Sequence, residues 1–361
     1  MEAKIRVLIL GASYGSLLAT KMLLAGHTVK LICLPAEADL INGEGTRVRT
    51  PVKGRDGLVE LDSRSLPGSL SAGGPVDADP GAFDLVVLAM QEPQYRSPGV
   101  RELLDRVATA RVPCMSIMNM PPLPYLMRIP AIPAAACRPC YTDASVWDGL
   151  DPRLVTLCSP DAQAFRPPEE KVNVLQVRLA TNFKAARFES DSHTALLRRL
   201  ASDIDAARLD TPQGKIDVPV KLRVYDSVFV PLAKWAMLLA GNYRCVGEDG
   251  VRSIKDAVHG DIDASRRVYD WVVALCVSLG AADSDLVPFE KYASASLMLQ
   301  SPSSAARALA AGAQNIERTD RLVQTLAAQK GMRNDTVDDT VARVDRWLER
   351  NRKTAGAAHA H

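Results

Sequence analysis

The stretch 5–34 constrains this chain more than any other feature. Residues 5–10 (Ile-Arg-Val-Leu-Ile-Leu) form a compact apolar run, the pattern of a parallel strand buried on both faces. Gly11-Ala12-Ser13-Tyr14-Gly15-Ser16 follows as a turn, and Leu17, Leu18, Met22 and Leu23 are apolar at helical spacing over 16–25. Gly26-His27 ends that helix, and Thr28–Leu34 reads as a second strand. Strand, glycine turn, helix and strand in so short a span make a βαβ unit. Glycines at such a turn let the backbone approach a pyrophosphate, and the helix N-terminus supplies free N–H groups. Counted back from Gly15, the loop is one residue shorter than G-x-G-x-x-G. Gly11, Ala12, Ser13, Tyr14, Gly15 and Ser16 are the expected dinucleotide contacts, with Tyr14 lying over the loop.

Cofactor choice is made at the end of the second strand, where an acidic residue takes the ribose hydroxyls of NAD and a basic one the 2′-phosphate of NADP. This chain has Ile32-Cys33-Leu34-Pro35 there, which is neither. Lys30, Arg47 and Arg49 are near in sequence, and none is a convincing reader.

Farther on, Phe83–Met90 is a third strand, Val100–Val107 a helix, and Cys114–Met118 a short strand before Asn119. The Gly-, Ser-, Pro- and Asp-rich stretch 62–82 reads as a loop, and the prolines of 122–139 exclude a long helix. Strand-like runs at Leu154–Cys158 and Val172–Leu179 precede an amphipathic helix over Asp191–Leu209 and a loop at Thr211–Val220. From Ser227 the pattern is almost purely helical, with helices expected at 228–242, 262–279, 302–329 and 336–352. A chain of 361 residues exceeds what one core usually serves. The expected division is a dinucleotide-binding domain over 1–210, a helical substrate and dimerisation domain over 211–352, and a disordered tail over 353–361.

The formal net charge of +2 gives no electrostatic reason to expect nucleic acid or an anionic membrane as partner. No apolar run approaches the roughly 20 residues that cross a bilayer. Met1–Arg6 lead straight into the first strand rather than a signal sequence, so a cytoplasmic location is the default. The seven cysteines read as small core residues. Cys137-Arg138-Pro139-Cys140 lacks the second pair that a zinc site needs, and no metal is expected.

Gly15-Ser-Leu-Leu-Ala19, then Ala25-Gly26-His27-x-Val29, resembles the ketopantoate reductase family. So does the order of later parts: a strand ending Val87-Leu88-Ala89-Met90, then Ile117-Met118-Asn119-Met120, a helix opened by Lys234, and a helical segment from Ser303 to Met332. The resemblance spans about residues 4–350 and identifies the chain as a divergent member. It implies an α/β fold, a Rossmann-type domain followed by an all-helical domain as in 6-phosphogluconate-dehydrogenase-like proteins. It also implies hydride transfer from NADPH to a 2-keto acid, with NADP(H) favoured and NAD(H) not excluded, and a homodimer.

Carried over by residue, the resemblance places the catalytic lysine at Lys234. Substrate contacts fall at Asn119, Asn242, Ser303 and Asn315, and further cofactor contacts at Met90 and Gln91. The departures are Leu238 for an asparagine, Gln91 for a lysine, Leu34 for the 2′-phosphate reader, and Asn315 for the active-site glutamate. Glu317 is the nearest carboxylate, but two residues along a helix turn a side chain by about 200°.

Lys234 also has its own argument: it sits in an apolar helical stretch, where an ammonium is costly unless paired or useful. Asn242 lies roughly 80° round and about 12 Å along from it on an ideal helix. The expected function is reduction of a small carbonyl substrate by an NAD(P)H-dependent enzyme with a lysine general acid. An imine- or opine-type reductase and a catalytically silent dinucleotide-binding protein are the alternatives.

Overall fold

The computed structural model describes residues 3–358. The chain divides into two compact units. The first comprises the chain up to Met90, Gln94–Arg128 and Ser145–Val228; the second comprises Gln91–Pro93, Ile129–Ala144 and the chain from Phe229.

The first unit is built on β1 (Arg6–Leu10), β2 (Thr28–Ile32), β3 (Arg47–Pro51), β4 (Leu58–Asp62), β5 (Ser69–Gly73), β6 (Leu85–Leu88) and β7 (Cys114–Ile117). Further along come β8 (Val155–Ser159), β9 (Gln163–Phe165), β10 (Val174–Leu179), β11 (Phe183–Ala186), β12 (Leu209–Thr211), β13 (Gly214–Ile216) and β14 (Leu222–Tyr225). The main sheet has the order β14-β11-β8-β7-β6-β1-β2-β5. Six neighbouring strands, β5 to β8, are parallel throughout. Their order is that of a dinucleotide-binding doubly wound sheet, and the direction of winding reverses between β1 and β6. β11 joins β8 antiparallel, and β14 then pairs parallel with β11. A smaller sheet, β4-β3-β10-β9, and the β12–β13 hairpin complete the unit.

Helices α1 (Gly15–Leu24), α2 (Pro35–Glu44) and α3 (Pro98–Ala110) connect the strands. Every residue of α1 is buried, because it packs between the sheet and the later helix Asp191–Ala206. Leu17, Leu18, Met22 and Leu23 of α1 join Val7, Ile9, Val29, Leu31, Leu85 and Val87 in the core.

The structure corrects several expectations here. The stretch 62–82 is not all loop, since Ser69–Gly73 (Ser-Leu-Ser-Ala-Gly) is an edge strand paired on one side with β2. Thr211–Val220 likewise contains half of a hairpin. The division of the chain falls at Val228/Phe229 rather than 210/211, because Leu222–Tyr225 pairs with Phe183–Ala186. The excursions 91–93 and 129–144, expected in the first domain, belong to the second unit.

The second unit is helical. Ile262–Ser278 is its central helix, with shorter helices at Ile254–His259 and Phe289–Ser296. The helix expected over 302–329 is two, Ser304–Ala310 and Thr319–Gln329. Gly312, with φ +88°, takes the left-handed conformation that stops the first of them. The final helix is Asp335–Ala358, so residues 353–358 of the expected tail are helical. Alanines and the Lys353–Glu349 pair, 2.8 Å apart at i,i+4 spacing, favour that extension. Residues 359–361 lie outside the described part. Among the described residues no helix is long and apolar enough to cross a membrane.

Candidate active site

The turn 11–15 sits at the carboxyl end of β1, beside β6, where the winding of the sheet reverses. Open α/β sheets bind ligands at this position. Gly11 has φ +107°, and its N–H donates to the Ile32 carbonyl at 2.9 Å, tying the turn to the end of β2. A Cβ on Gly11 would lie 2.6 Å from Cγ of Met90 and 2.8 Å from the Ala89 carbonyl oxygen. Only glycine fits there, and it lets the backbone run close to the end of β6. Gly15 is equally tight, since a Cβ would meet Ile9 Cγ2 at 2.8 Å. That contact brings α1 down onto β1.

The N–H groups of Ala12, Ser13 and Tyr14 find no backbone acceptor among the described residues. The Ser16 hydroxyl donates to the Ala12 carbonyl, bracing the turn from inside, whereas Ser13 is exposed. Tyr14 donates its hydroxyl to the Ala162 carbonyl at 2.8 Å and meets the Phe183 ring edge-on at 5.9 Å. Burial, with Asp161 adding to it, holds that phenol protonated. The tyrosine therefore links the turn to the segment after β8.

Met90 lies two residues beyond β6, and its N–H donates to the Tyr95 hydroxyl at 3.2 Å. Gln91 is exposed and falls in the second unit. Asn119 stands two residues beyond β7, and its amide oxygen Oδ1 is buried with no hydrogen-bond partner among the described residues. A buried unsatisfied acceptor costs about 1–3 kcal/mol, so a ligand donor there would be stabilising.

Beyond the end of β2, where Cys33-Leu34-Pro35 carries no charge, a charged pair stands near Cys33. Arg166, just after β9, pairs with Glu37 in the first turn of α2. Burial pushes the neighbouring Cys33 thiol up to about 12, with Glu37 adding to the shift and Arg166 opposing it. Sequence reading missed Arg166 because it comes from another part of the chain.

In the second unit Lys234 is half-buried and opens a single α-turn, Lys234–Met237. The backbone then widens into a π-helical turn, Leu238–Asn242, and tightens at Tyr243–Cys245. One uniform helix over 228–242 was expected; π-turns of this kind recur at functional sites. The cause of the close packing at this turn is Gly241, whose Cβ would lie 2.0 Å from the Tyr292 hydroxyl. That hydroxyl donates to the Met237 carbonyl at 3.1 Å. The helical backbone does not end at Gly241-Asn242, and the wider turn displaces Asn242 from the ideal angle relative to Lys234.

Ser303 is 2% exposed and caps the helix Ser304–Ala310, accepting from the Ala306 N–H at 3.2 Å. Its hydroxyl proton goes to the Asn242 carbonyl at 2.7 Å. These two bonds tie Ser303 to the helix cap and to the backbone of Asn242.

Asn315 and Glu317 lie in the non-helical stretch between the two helices. The 200° rotation expected between them therefore does not apply. Glu317 is 8% exposed; its carboxylate accepts from the Glu92 N–H at 3.3 Å, and its carbonyl accepts from the Tyr243 hydroxyl at 2.5 Å. The Arg352 guanidinium donates to the Asn315 amide oxygen at 3.4 Å. Cys137 and Cys140 are buried, and burial pushes the Cys137 thiol up to about 12.

No protein-family model matches this sequence, and no curated protein sequence does. Solved structures do match. A PanE/ApbA family ketopantoate reductase from Ralstonia eutropha superposes with a TM-score of 0.64 at 17% identity, covering 96% of this chain and 100% of its own. A D-mandelate dehydrogenase solved with NADH and anilino(oxo)acetate gives 0.62 at 12% identity, covering 96% and 100%. A dimeric ketopantoate reductase from Staphylococcus aureus gives 0.58 at 11% identity, again covering 96% and 100%. The chain thus has the ketopantoate reductase fold over nearly its whole length: a Rossmann-type N-terminal unit and a helical C-terminal one.

Proposed function

We propose that this protein is an NAD(P)H-dependent reductase of a small carbonyl compound of the 2-keto acid kind. The observation that carries the reading is the Gly11–Gly15 turn at the reversal point of the sheet. Its glycine admits no side chain, and its N–H groups lack backbone partners. The structural neighbours support it, two being ketopantoate reductases and one a dehydrogenase solved with NADH.

The N–H groups of the turn and of the α1 N-terminus would hold the pyrophosphate. The buried Oδ1 of Asn119 would accept from the nicotinamide carboxamide, which supplies the N–H this oxygen lacks. When bound, the reduced nicotinamide supplies a hydride. Lys234 would polarise the substrate carbonyl and deliver a proton to its oxygen as general acid. Asn242, its backbone held by Ser303, and Asn315 would orient the substrate. The same reading expects a homodimer, which sedimentation would test.

Nicotinamide fluorescence on titration with NADPH and NADH tests the binding step. Turnover of a keto-acid panel by the parent and by Lys234→Ala tests the chemistry. Binding of either dinucleotide by both proteins, with turnover lost only in the variant, is expected. Turnover surviving Lys234→Ala would refute the mechanism.

A further inference from the structure

The end of β2 lacks a charged residue, yet a charged pair stands beside it. Glu37 lies in the first turn of α2, and Arg166 reaches it from the segment after β9. Both act on the same thiol, Cys33, directly after β2. The end of β2 is also fixed to the phosphate turn by the Gly11–Ile32 hydrogen bond at 2.9 Å. Neighbouring strands are about 5 Å apart, so a dinucleotide with its pyrophosphate at β1 places its adenosine ribose at the end of β2.

We infer that Arg166 is the residue that selects the cofactor, taking the 2′-phosphate of NADP(H); this rests on the dinucleotide reading above. Two observations, and the chemistry of guanidinium, favour a phosphate over the two hydroxyls of NAD(H). Residue 34, where an acid would take those hydroxyls, is Leu34; it is 74% exposed and has no polar side-chain atom. Glu37, in the first turn of α2, is already engaged by Arg166. Guanidinium has five N–H donors in a fork, so one edge can hold Glu37 while another meets a phosphate. Glu37 then acts as a positioning residue: it orients Arg166 and does not read the ribose.

The chain segment bearing Arg166 is itself anchored. Tyr14, within the phosphate turn, bonds Ala162 four residues before Arg166. The turn that holds the pyrophosphate and the side chain that reads the 2′ position are thereby joined through one short stretch, 162–166.

The test is the affinity of the purified protein for NADPH and for NADH, measured by fluorescence titration, in the parent, Arg166→Gln, Glu37→Gln and Leu34→Asp. The parent should prefer NADPH. Arg166→Gln should weaken NADPH roughly ten- to a hundredfold, the value of a lost charged hydrogen bond, and leave NADH unchanged. The unchanged NADH affinity shows that the variant is folded. Leu34→Asp, at an exposed position, should penalise NADPH alone by like-charge repulsion, and it serves if Arg166→Gln does not fold. Glu37→Gln should keep the preference for NADPH.

An NADPH/NADH ratio that Arg166→Gln or Leu34→Asp leaves unmoved, with both cofactors bound, overturns the role of Arg166 and spares the dinucleotide reading. A parent that prefers NADH and loses that preference in Glu37→Gln makes Glu37 the reader and overturns it equally. A parent that binds neither cofactor overturns the dinucleotide reading itself and this inference with it.

Discussion

Lys21 offers the sharpest test of the physical description of the first unit. It lies in the last turn of α1 and is 2% exposed. Its ammonium donates to the Val218 carbonyl at 2.9 Å, while Asp217, the carboxylate that attracts it, is paired with Lys221 at 2.6 Å. Burial, then repulsion from Lys221, lowers its pKa from the ordinary 10.5 to about 7, with Asp217 only partly opposing. The folded-state pKa is below the unfolded one, so the unfolded chain binds the proton more tightly across this window. Stability therefore rises as pH climbs from about 7 towards 10.5 and falls as pH drops back through it.

Integrating that shift gives a penalty of about 4 kcal/mol at pH 7 and about 2 kcal/mol at pH 9. Lys21→Met keeps the length and loses the charge. It also loses the bond to Val218, worth about 1 kcal/mol. The variant should be more stable than the parent by about 3 kcal/mol at pH 7 and about 1 kcal/mol at pH 9, with the gain gone near pH 10.5. Urea unfolding of both proteins at each pH measures this. The difference between them is the readout, because every other titrating group is common to both. A difference that is the same at pH 7 and pH 9, or a variant less stable at pH 7, would refute the reasoning and mean that the ammonium is solvated in place.

Other outcomes follow from the packing. Gly11→Val places a branched side chain at φ +107° against Met90 and the Ala89 carbonyl, and should cost about 2–4 kcal/mol in chemical unfolding while abolishing dinucleotide binding in a fluorescence titration. Gly241→Ala drives a methyl into the Tyr292 hydroxyl and should cost about 1–3 kcal/mol; combined with Tyr292→Ala, much less than the sum, as a double-mutant cycle would read. Ser303→Ala removes a helix cap and should lower stability by about 1 kcal/mol. If Ser303 acts only by fixing Asn242, substrate KM should rise less in this variant than in Asn242→Ala.

The parts of this molecule that could be read from sequence are those whose cause is local. The apolar run 5–10, the turn and the helix that follows are set by residues adjacent in the chain, and the structure has them within a residue or two. Some local signals were present and misread. Gly312 marks the end of a helix as surely as Gly26 does, and its left-handed φ of +88° breaks the segment on which the rotation between Asn315 and Glu317 was calculated.

The rest could not have been read, because its cause is tertiary. Ser69–Gly73 has weak strand character and becomes a strand only because β2 offers it a free edge. The π-turn after Lys234 is tied to Tyr292, a residue of another helix that occupies the space left by Gly241. The hydroxyl of Ser303 donates to the carbonyl of Asn242, a contact between residues 61 apart in the chain. The same holds at the cofactor end. A search for a charge next to β2 along the sequence finds Leu34, whereas the fold sets Arg166, just after β9, against Glu37 of α2. On the inference drawn above, a loss of charge at residue 34 is not a loss of charge at the site. The requirement is for a cation at one point in space, and a distant segment can meet it when the intervening strands hold it there. The affinity ratio for the two nicotinamide cofactors measures whether this one does.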